Sequence, residues 1–300
     1  MVADGIKGTG QRAGFRGNSG DAMGITMSGV FLSAEWRRLL MLNYEIDPGT
    51  LAPLLPRGTE LDLWRGRAYV SVVGFNFLKT RVCGVPIPGH RNFPEVNLRF
   101  YVVRRQGDEV RRGVVFVREL VPRWAVAFVA RACYEEKYWT VPMRHEVSPA
   151  SAALGRDSTI GPGTTLGYHW RLGGQAQHVR ARLCGAFQDA DPQGHAAFLI
   201  EHYWAYTALR SGQTSEYQVE HQPWRVAPVE DAELAANVEA LYGPQFVEAL
   251  STAPASAFVT DGSPVLVRWG SKLNVSAEGD RDRVSSSQSQ VVGCNSESLC

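Results

Sequence analysis

The run FPEVNLRFYVV, Phe93–Val103, alternates strictly from Glu95 onward between polar-capable and apolar residues, the two-residue period of a β-strand. Glu95, Asn97, Arg99 and Tyr101 fall on one face; Val96, Leu98, Phe100 and Val102 fall on the other. The turn signal Gln106-Gly107-Asp108-Glu109 follows, and Val110–Leu120 (VRRGVVFVREL) returns, which predicts a β-hairpin. A loop of two or four residues centred on Gly107-Asp108 pairs Asn97 with Arg118, Arg99 with Phe116 and Tyr101 with Val114.

That register gives the hairpin two unequal faces. Val96, Leu98, Phe100 and Val102 meet Val115 and Val117, a core face. The other mixes Glu95, Asn97, Arg99, Arg118 and Tyr101 with Val114, Phe116 and Leu120, too much apolar area for a fully solvated surface. Charges on a buried face need partners, and Glu95 with Arg99 or Arg118 supplies them. Such a face is either a structural ion-pair network or the polar wall of a ligand cavity.

Working outward, Asp47-Pro48 reads as an N-cap and first helical residue of a short helix through Leu54-Leu55. Glu60–Trp64 and Ala68–Val82 read as strands around Arg65-Gly66-Arg67, with a bend at Gly74. Pro122 opens a helix over 123–135, which ends before Pro142. Thr165–Leu172 and Gln175–Leu183 form a second hairpin at Gly173-Gly174, with further strands at Ala197–Ala208 and Glu216–His221 and a helix at Asp231–Tyr242. No internal repeat or mid-chain linker is visible. The reading is one α+β domain dominated by antiparallel sheet over residues 29–275, between a disordered Gly-rich N-terminus (1–28, seven glycines) and a disordered polar tail (276–300).

Composition narrows the function. A chain of 300 residues with 44% hydrophobic content buries a substantial core, and a formal charge of +1 points to neither nucleic acid nor a membrane surface. The apolar runs fall far short of the ~18 residues of a membrane span, and residues 1–28 lack a signal peptide's apolar segment. Five cysteines without C-x-x-C spacing argue against a disulfide framework or zinc knuckle and fit a reducing cytoplasm. Gly8-Thr9-Gly10 has no strand before it and reads as linker rather than a nucleotide loop. G-x-S-x-G, P-loop and H-E-x-x-H motifs are absent; the seven histidines are scattered, and although His145-Glu146, His169 and His178 could meet in space, neither metal nor cofactor is expected.

The runs FLSAEWRRLLMLNYEIDPGTLAPLLP, GRAYVSVVGFNF, FPEVNLRFYVV, GVVFVRELVPRWAVAFVARACYEEKY and FLIEHYWAYT resemble the DUF2071 (YqjF-like) family of uncharacterised proteins, over roughly Phe31 to Trp269. That family is remotely similar to acetoacetate decarboxylase, whose fold is a cone-shaped β-barrel around a central cavity. The resemblance implies a closed barrel with a few flanking helices. Acetoacetate decarboxylase works through a lysine Schiff base. Its motif, an Arg-Glu pair followed by Pro-Lys-Lys, matches Arg131 here but places Tyr138 and Trp139 where the two lysines stand. Lys137 is one position off and sits among Glu135 and Glu136, whose charges favour the protonated amine, the wrong direction for a nucleophile.

The same resemblance implies that Glu95 faces inward. Arg131 and Tyr134 stand at i and i+3 with Tyr138 a further i+4, spacing that presents all three on one helical face. Glu201-His202-Tyr203 matches the family's Glu-Arg-Tyr with His202 replacing arginine, and Trp224 of His221-Gln222-Pro223-Trp224 reads as packing.

Two functions follow as expectations. The first is a small-molecule-binding barrel that performs noncovalent acid–base chemistry on a carbonyl or carboxylate compound, or only binds it. Glu95 is its acid/base; Arg99, Arg118 or Arg131 clamps a carboxylate; Tyr134 or Tyr138 donates a hydrogen bond; and Asn97, Tyr101, Glu201 and Tyr203 complete the candidate site. The second is a structural or interaction protein whose polar strand is an internal ion-pair network.

Overall fold

The computed structural model describes residues 29–122, 137–149 and 160–273. The expected disordered ends and the helix over 123–135 lie outside them, as do Arg131 and Tyr134.

Seven strands pair in a closed ring. β1 (Val30–Ile46) pairs with β3 (Ala68–Val82), β3 with β5 (Phe93–Gln106), and β5 with β6 (Glu109–Val121). β6 pairs in parallel with β12 (Trp204–Ala208), which pairs with β13 (Thr214–His221); β13 pairs with β16 (Pro264–Arg268), and β16 returns to β1. Short strands extend the ring: β2 (Glu60–Leu61) on β5, β4 (Val85–Pro86) on β3, β7 (Tyr138–Thr140) parallel to β6, and β17 (Ser271–Leu273) on β13. No helix among the described residues is long and apolar enough to cross a membrane.

A second sheet lies over one side of the ring. β8 (Met143–Ser148), β9 (Thr165–Leu172), β10 (Gln175–Leu183) and β14 (Arg225–Ala235) pair in that order. The start of β14 turns back to pair with β11 (Gln188–Asp189) and β15 (Ser256–Thr260), and β15 joins β1. Between the two layers, Val70 and Val72 of β3 and Val96, Leu98 and Phe100 of β5 pack against Leu166, Tyr168, Val179 and Ala181. The ring's other face holds a separate cluster that includes Leu39, Met41, Val73, Phe75 and Phe93. The alternation in β5 therefore separates two buried environments, not core from solvent.

Local signals explain most elements. Asp47 accepts from Gly49 N and caps α1 (Pro48–Leu51), which tightens into a 3-10 turn at Ala52–Leu54. Gly107, at φ 58°, makes the two-residue turn between Gln106 and Glu109. Near Gly74 the irregularity lies in the partner strand: the β1 register shifts between Arg37 and Leu40, with Arg38 at φ 58°. Gly74 itself is needed for space, because a Cβ there would overlap the Tyr168 ring.

Three expected elements change. The strand expected over Glu60–Trp64 is confined to β2, with Trp64 making only an isolated bridge to Arg67. Residues 195–200 are helical (α2, His195–Ile200) before the chain becomes β12 at Trp204. Residues 231–235 continue β14, and helix begins only at α3 (Val238–Tyr242), where Asn237 accepts from Ala240 N. Asp231-Ala-Glu-Leu-Ala235 has helix-forming composition, yet its pairing with β10 and the burial of Leu234 against the interlayer core prevail. α4 (Val247–Leu250) follows.

Candidate functional site

The polar face of β5 points into the ring. Glu95 and Asn97 are 2% exposed and Arg99 8%. They line a cavity of about 110 Å³ inside the ring, with Glu119 of β6, Tyr138 of β7 and His202 beyond α2 among its other walls.

A β-bulge decides which β6 residue joins them. From the turn up to Arg99 the pairing follows the two-residue loop, with Tyr101 opposite Val114 and Arg99 opposite Phe116. The register then slips between Leu98 and Arg99, so Arg118 pairs with Leu98 and Glu119 pairs with Asn97. The expected Asn97–Arg118 pair is thereby corrected. Arg118 lies on the outer face, where its Nε donates to Leu241 O at 3.2 Å and its guanidinium covers Trp139 at 4.0 Å. Glu119, 2% exposed, takes the inward place.

Tyr138, expected on a helical face with Arg131 and Tyr134, lies in strand β7 instead and pairs with Glu119 across the parallel β6–β7 ladder, so Asn97, Glu119 and Tyr138 form one row over three strands. Asn97 Nδ2 donates to Glu95 Oε1 at 3.1 Å, and the Tyr138 hydroxyl donates to Glu95 Oε2 at 3.5 Å. Burial, then the charges of Glu119 and Glu95, push the Tyr138 hydroxyl well above its ordinary pKa, so it remains a donor.

Arg99 is electrostatically unusual. Its Nη2 donates to Leu199 O at 3.2 Å and lies 4.0 Å from Met41 Sδ, and its guanidinium stands 5.6 Å from the Tyr101 ring centre. No carboxylate among the described residues pairs with it, and its buried Nε has no hydrogen-bond partner there. Other arginines around the ring differ: Arg104 and Arg111 share Glu216 at 3.3 and 3.1 Å, and Arg112 holds Asp62 at 2.6 Å.

His202 adds a buried imidazole to the cavity wall. Its Nε2 stands 3.4 Å from Asp62 Oδ2, and its buried Nδ1 has no hydrogen-bond partner among the described residues. Burial above all, with Arg112 and Arg99 adding to it, lowers its pKa to about 4 against the opposing pull of Asp62, so the imidazole is neutral near pH 7. Burial would raise Asp62, but His202 and Arg112 prevail and hold it below the usual carboxylate range.

The remaining candidates fall elsewhere. Tyr101 is buried, but its hydroxyl meets Ser71 Oγ at 2.5 Å, and Ser71 donates to Asn43; the ring backs His202 at 4.8 Å without lining the cavity. Glu201 and Tyr203 also lie outside the lining: Tyr203 donates to Glu201, and its ring stacks on His221, itself a cavity residue. Trp224 packs against His221 at 4.2 Å and reaches the cavity wall.

Lys79, Lys137 and Lys272 are exposed, and none lines the cavity; Lys79 pairs with Glu35. His169 and His178 face each other across β9 and β10, each beside a glutamate, but no group of three His, Cys, Asp or Glu among the described residues is disposed to hold a metal. Glu119 escaped the sequence reading because adjacent Arg118 and Glu119 are equally good inward residues, and only the bulge chooses between them.

The profile of the DUF2071 family, an uncharacterized conserved protein, matches residues 33–264. The uncharacterized protein YqjF of Bacillus subtilis is 26% identical over 214 residues, covering 70% of this chain and 80% of YqjF. Among solved structures, an acetoacetate decarboxylase-like enzyme from Sphingomonas wittichii RW1 superposes with a TM-score of 0.57 at 14% identity, covering 85% of this chain and 99% of its own. The enduracididine biosynthesis enzyme MppR, complexed with pyruvate, gives 0.57 at 14% identity over 83% and 93% of the two chains. Acetoacetate decarboxylase from Legionella pneumophila gives 0.53 at 13% identity over 81% and 87%. These likenesses establish an acetoacetate decarboxylase-like fold.

Proposed function

This chain belongs to the DUF2071 family, and we propose that it is a small-molecule-binding β-barrel whose cavity receives a carboxylate-bearing carbonyl compound and performs noncovalent acid–base chemistry on it. Arg99 carries this reading: a buried guanidinium lining a cavity, with no carboxylate among the described residues in ion-pair contact with it. Leaving a buried charge partnerless costs about 3–5 kcal/mol, and a ligand carboxylate supplies the missing partner with charge-assisted hydrogen bonds. The pyruvate bound to the similarly folded MppR is a compound of this class.

With the carboxylate on Arg99, Glu95 or Glu119 takes a proton from the carbon beside the carbonyl. The C–H electron pair moves to form the C=C bond, the carbonyl π pair moves to oxygen, and Tyr138 stabilises that oxygen by donating a hydrogen bond. Return of the proton to carbon restores the ketone; its delivery to oxygen gives the enol. The described cavity lining contains no lysine, and the proposed chemistry is noncovalent.

Calorimetric titration with pyruvate, acetoacetate and the longer 2-oxohexanoate, followed by NMR of deuterium exchange at the carbon beside the carbonyl, tests both parts. The expected result is binding that Arg99→Ala removes and exchange that Glu95→Gln slows. Absence of binding, or binding indifferent to Arg99→Ala, overturns the proposal; binding without exchange leaves a binding protein and overturns the enzymatic half. A purely structural role has one supporting observation: both Glu95 oxygens already accept hydrogen bonds within the chain. Under that reading Glu95→Gln lowers the melting temperature and does nothing else.

A further inference from the structure

We infer that the ligand is an amphipathic oxo acid, carrying a branched or short linear alkyl chain or a single phenyl ring beyond its carbonyl, instead of a compound as small as pyruvate. The inference rests on the proposed carboxylate site and extends it to the other end of the cavity.

The cavity is chemically divided along the strands. Glu95, Asn97, Arg99, Glu119 and His202 are 8% exposed or less and form its charged and polar part. Phe93 lies two residues beyond Glu95, about 7 Å along the strand. There aromatic rings dominate the walls, with Thr80 and His90 also among the lining residues: Phe93 pairs with Phe77 across β3–β5, their rings stacked at 4.7 Å. Trp36 meets Phe77 at 5.8 Å and Phe75 at 5.3 Å, both edge to face. Val82 and Ile87, half-buried, continue the wall toward the surface.

An acid whose carboxylate reaches Arg99 and whose carbonyl lies by Glu95 and Tyr138 directs its remaining carbons to this aromatic zone. A compound ending at the carbonyl leaves that zone unfilled, without the apolar burial that dominates small-molecule affinity. The polar groups fix the head and the aromatic zone selects the tail.

Calorimetric titration of the full chain with pyruvate, 2-oxobutanoate, 2-oxohexanoate, 4-methyl-2-oxopentanoate and phenylpyruvate tests this, with neutral 2-hexanone as a control. Affinity is expected to rise about fourfold per added methylene until the zone is filled. Arg99→Met should weaken all five acids by a similar factor, and Ile87→Trp should weaken 2-oxohexanoate and phenylpyruvate more than pyruvate. Arg99-dependent binding that is flat or falls with tail length overturns this inference alone. Equal binding of 2-hexanone, untouched by Arg99→Met, or no binding of any acid, overturns the carboxylate site and this inference with it.

Discussion

Glu119 stands directly across the β5–β6 ladder from Asn97, on the cavity side of both strands, while its neighbour Arg118 pairs with Leu98 and reaches outward to Leu241. Arg118→Ala should leave acid binding unchanged and lower stability by about 1–2 kcal/mol, through the lost hydrogen bond and the lost cover on Trp139. Glu119→Gln should alter proton exchange on a bound oxo acid. Calorimetry on the first variant and NMR exchange on the second check the pair; reversed effects would restore the unbulged register.

Replacing Arg99 separates stability from function. Arg99→Met keeps the side chain's bulk and removes a buried charge that has no carboxylate partner among the described residues. The free protein should unfold at the same urea concentration or a higher one, while oxo-acid affinity falls about 100-fold, as for the loss of one partner of a buried charge pair. A marked loss of stability without loss of binding contradicts the assignment.

Tyr138→Phe removes the donor held protonated between Glu95 and Glu119. Carbon-proton exchange on a bound oxo acid should slow by about 100-fold, the lower range for a positioned acid–base or oxyanion group, with a smaller change in affinity. An unchanged exchange rate assigns the oxygen-stabilising role elsewhere.

Stability should depend on pH through His202. Its folded pKa, about 4, lies below the unfolded value near 6.5, so the unfolded chain binds more protons between them and stability falls as pH drops through that window. The full loss is on the order of 3 kcal/mol. Asp62, held low by His202 and Arg112, adds a loss that begins nearer pH 4, where an unfolded aspartate titrates. Urea unfolding between pH 7 and pH 4.5 should show this slope, and His202→Gln should flatten it; equal slopes in both proteins refute the assignment.

Gly74→Ala probes the seam between the layers. Its Cβ would meet the Tyr168 ring, which is fully buried and whose hydroxyl donates to Arg38 O at 2.7 Å. The substitution should cost about 1–3 kcal/mol as an overpacked core, read as a lower urea midpoint at unchanged m-value.

Much of this architecture is legible locally. Alternation in Phe93–Val103 assigns its two faces, Gly107-Asp108 sets the turn, and Gly173-Gly174 marks β9 and β10, because side-chain period and φ preference act within a few residues. Asp47-Pro48 announces its helix for the same reason. That both faces of this strand are buried was readable too, since each carries too much apolar area for solvent, while the inward direction of Glu95 came only from the family resemblance.

Other features depend on partners far away in the chain. Residues 231–235 extend a strand against helical composition because β10 offers them a ladder and Leu234 an interlayer core. The parallel β6–β12 pairing closes the ring through residues about ninety positions apart, which no local pattern announces. Alone, the sequence set which residues alternate and where the chain turns, and showed that charges of β5 lie on a buried face. Only the tertiary structure decided that Glu119 displaces Arg118 and that Arg99 has no carboxylate beside it among the described residues. A one-residue bulge and the absence of a partner are relations between strands, and a strand's own period is blind to both.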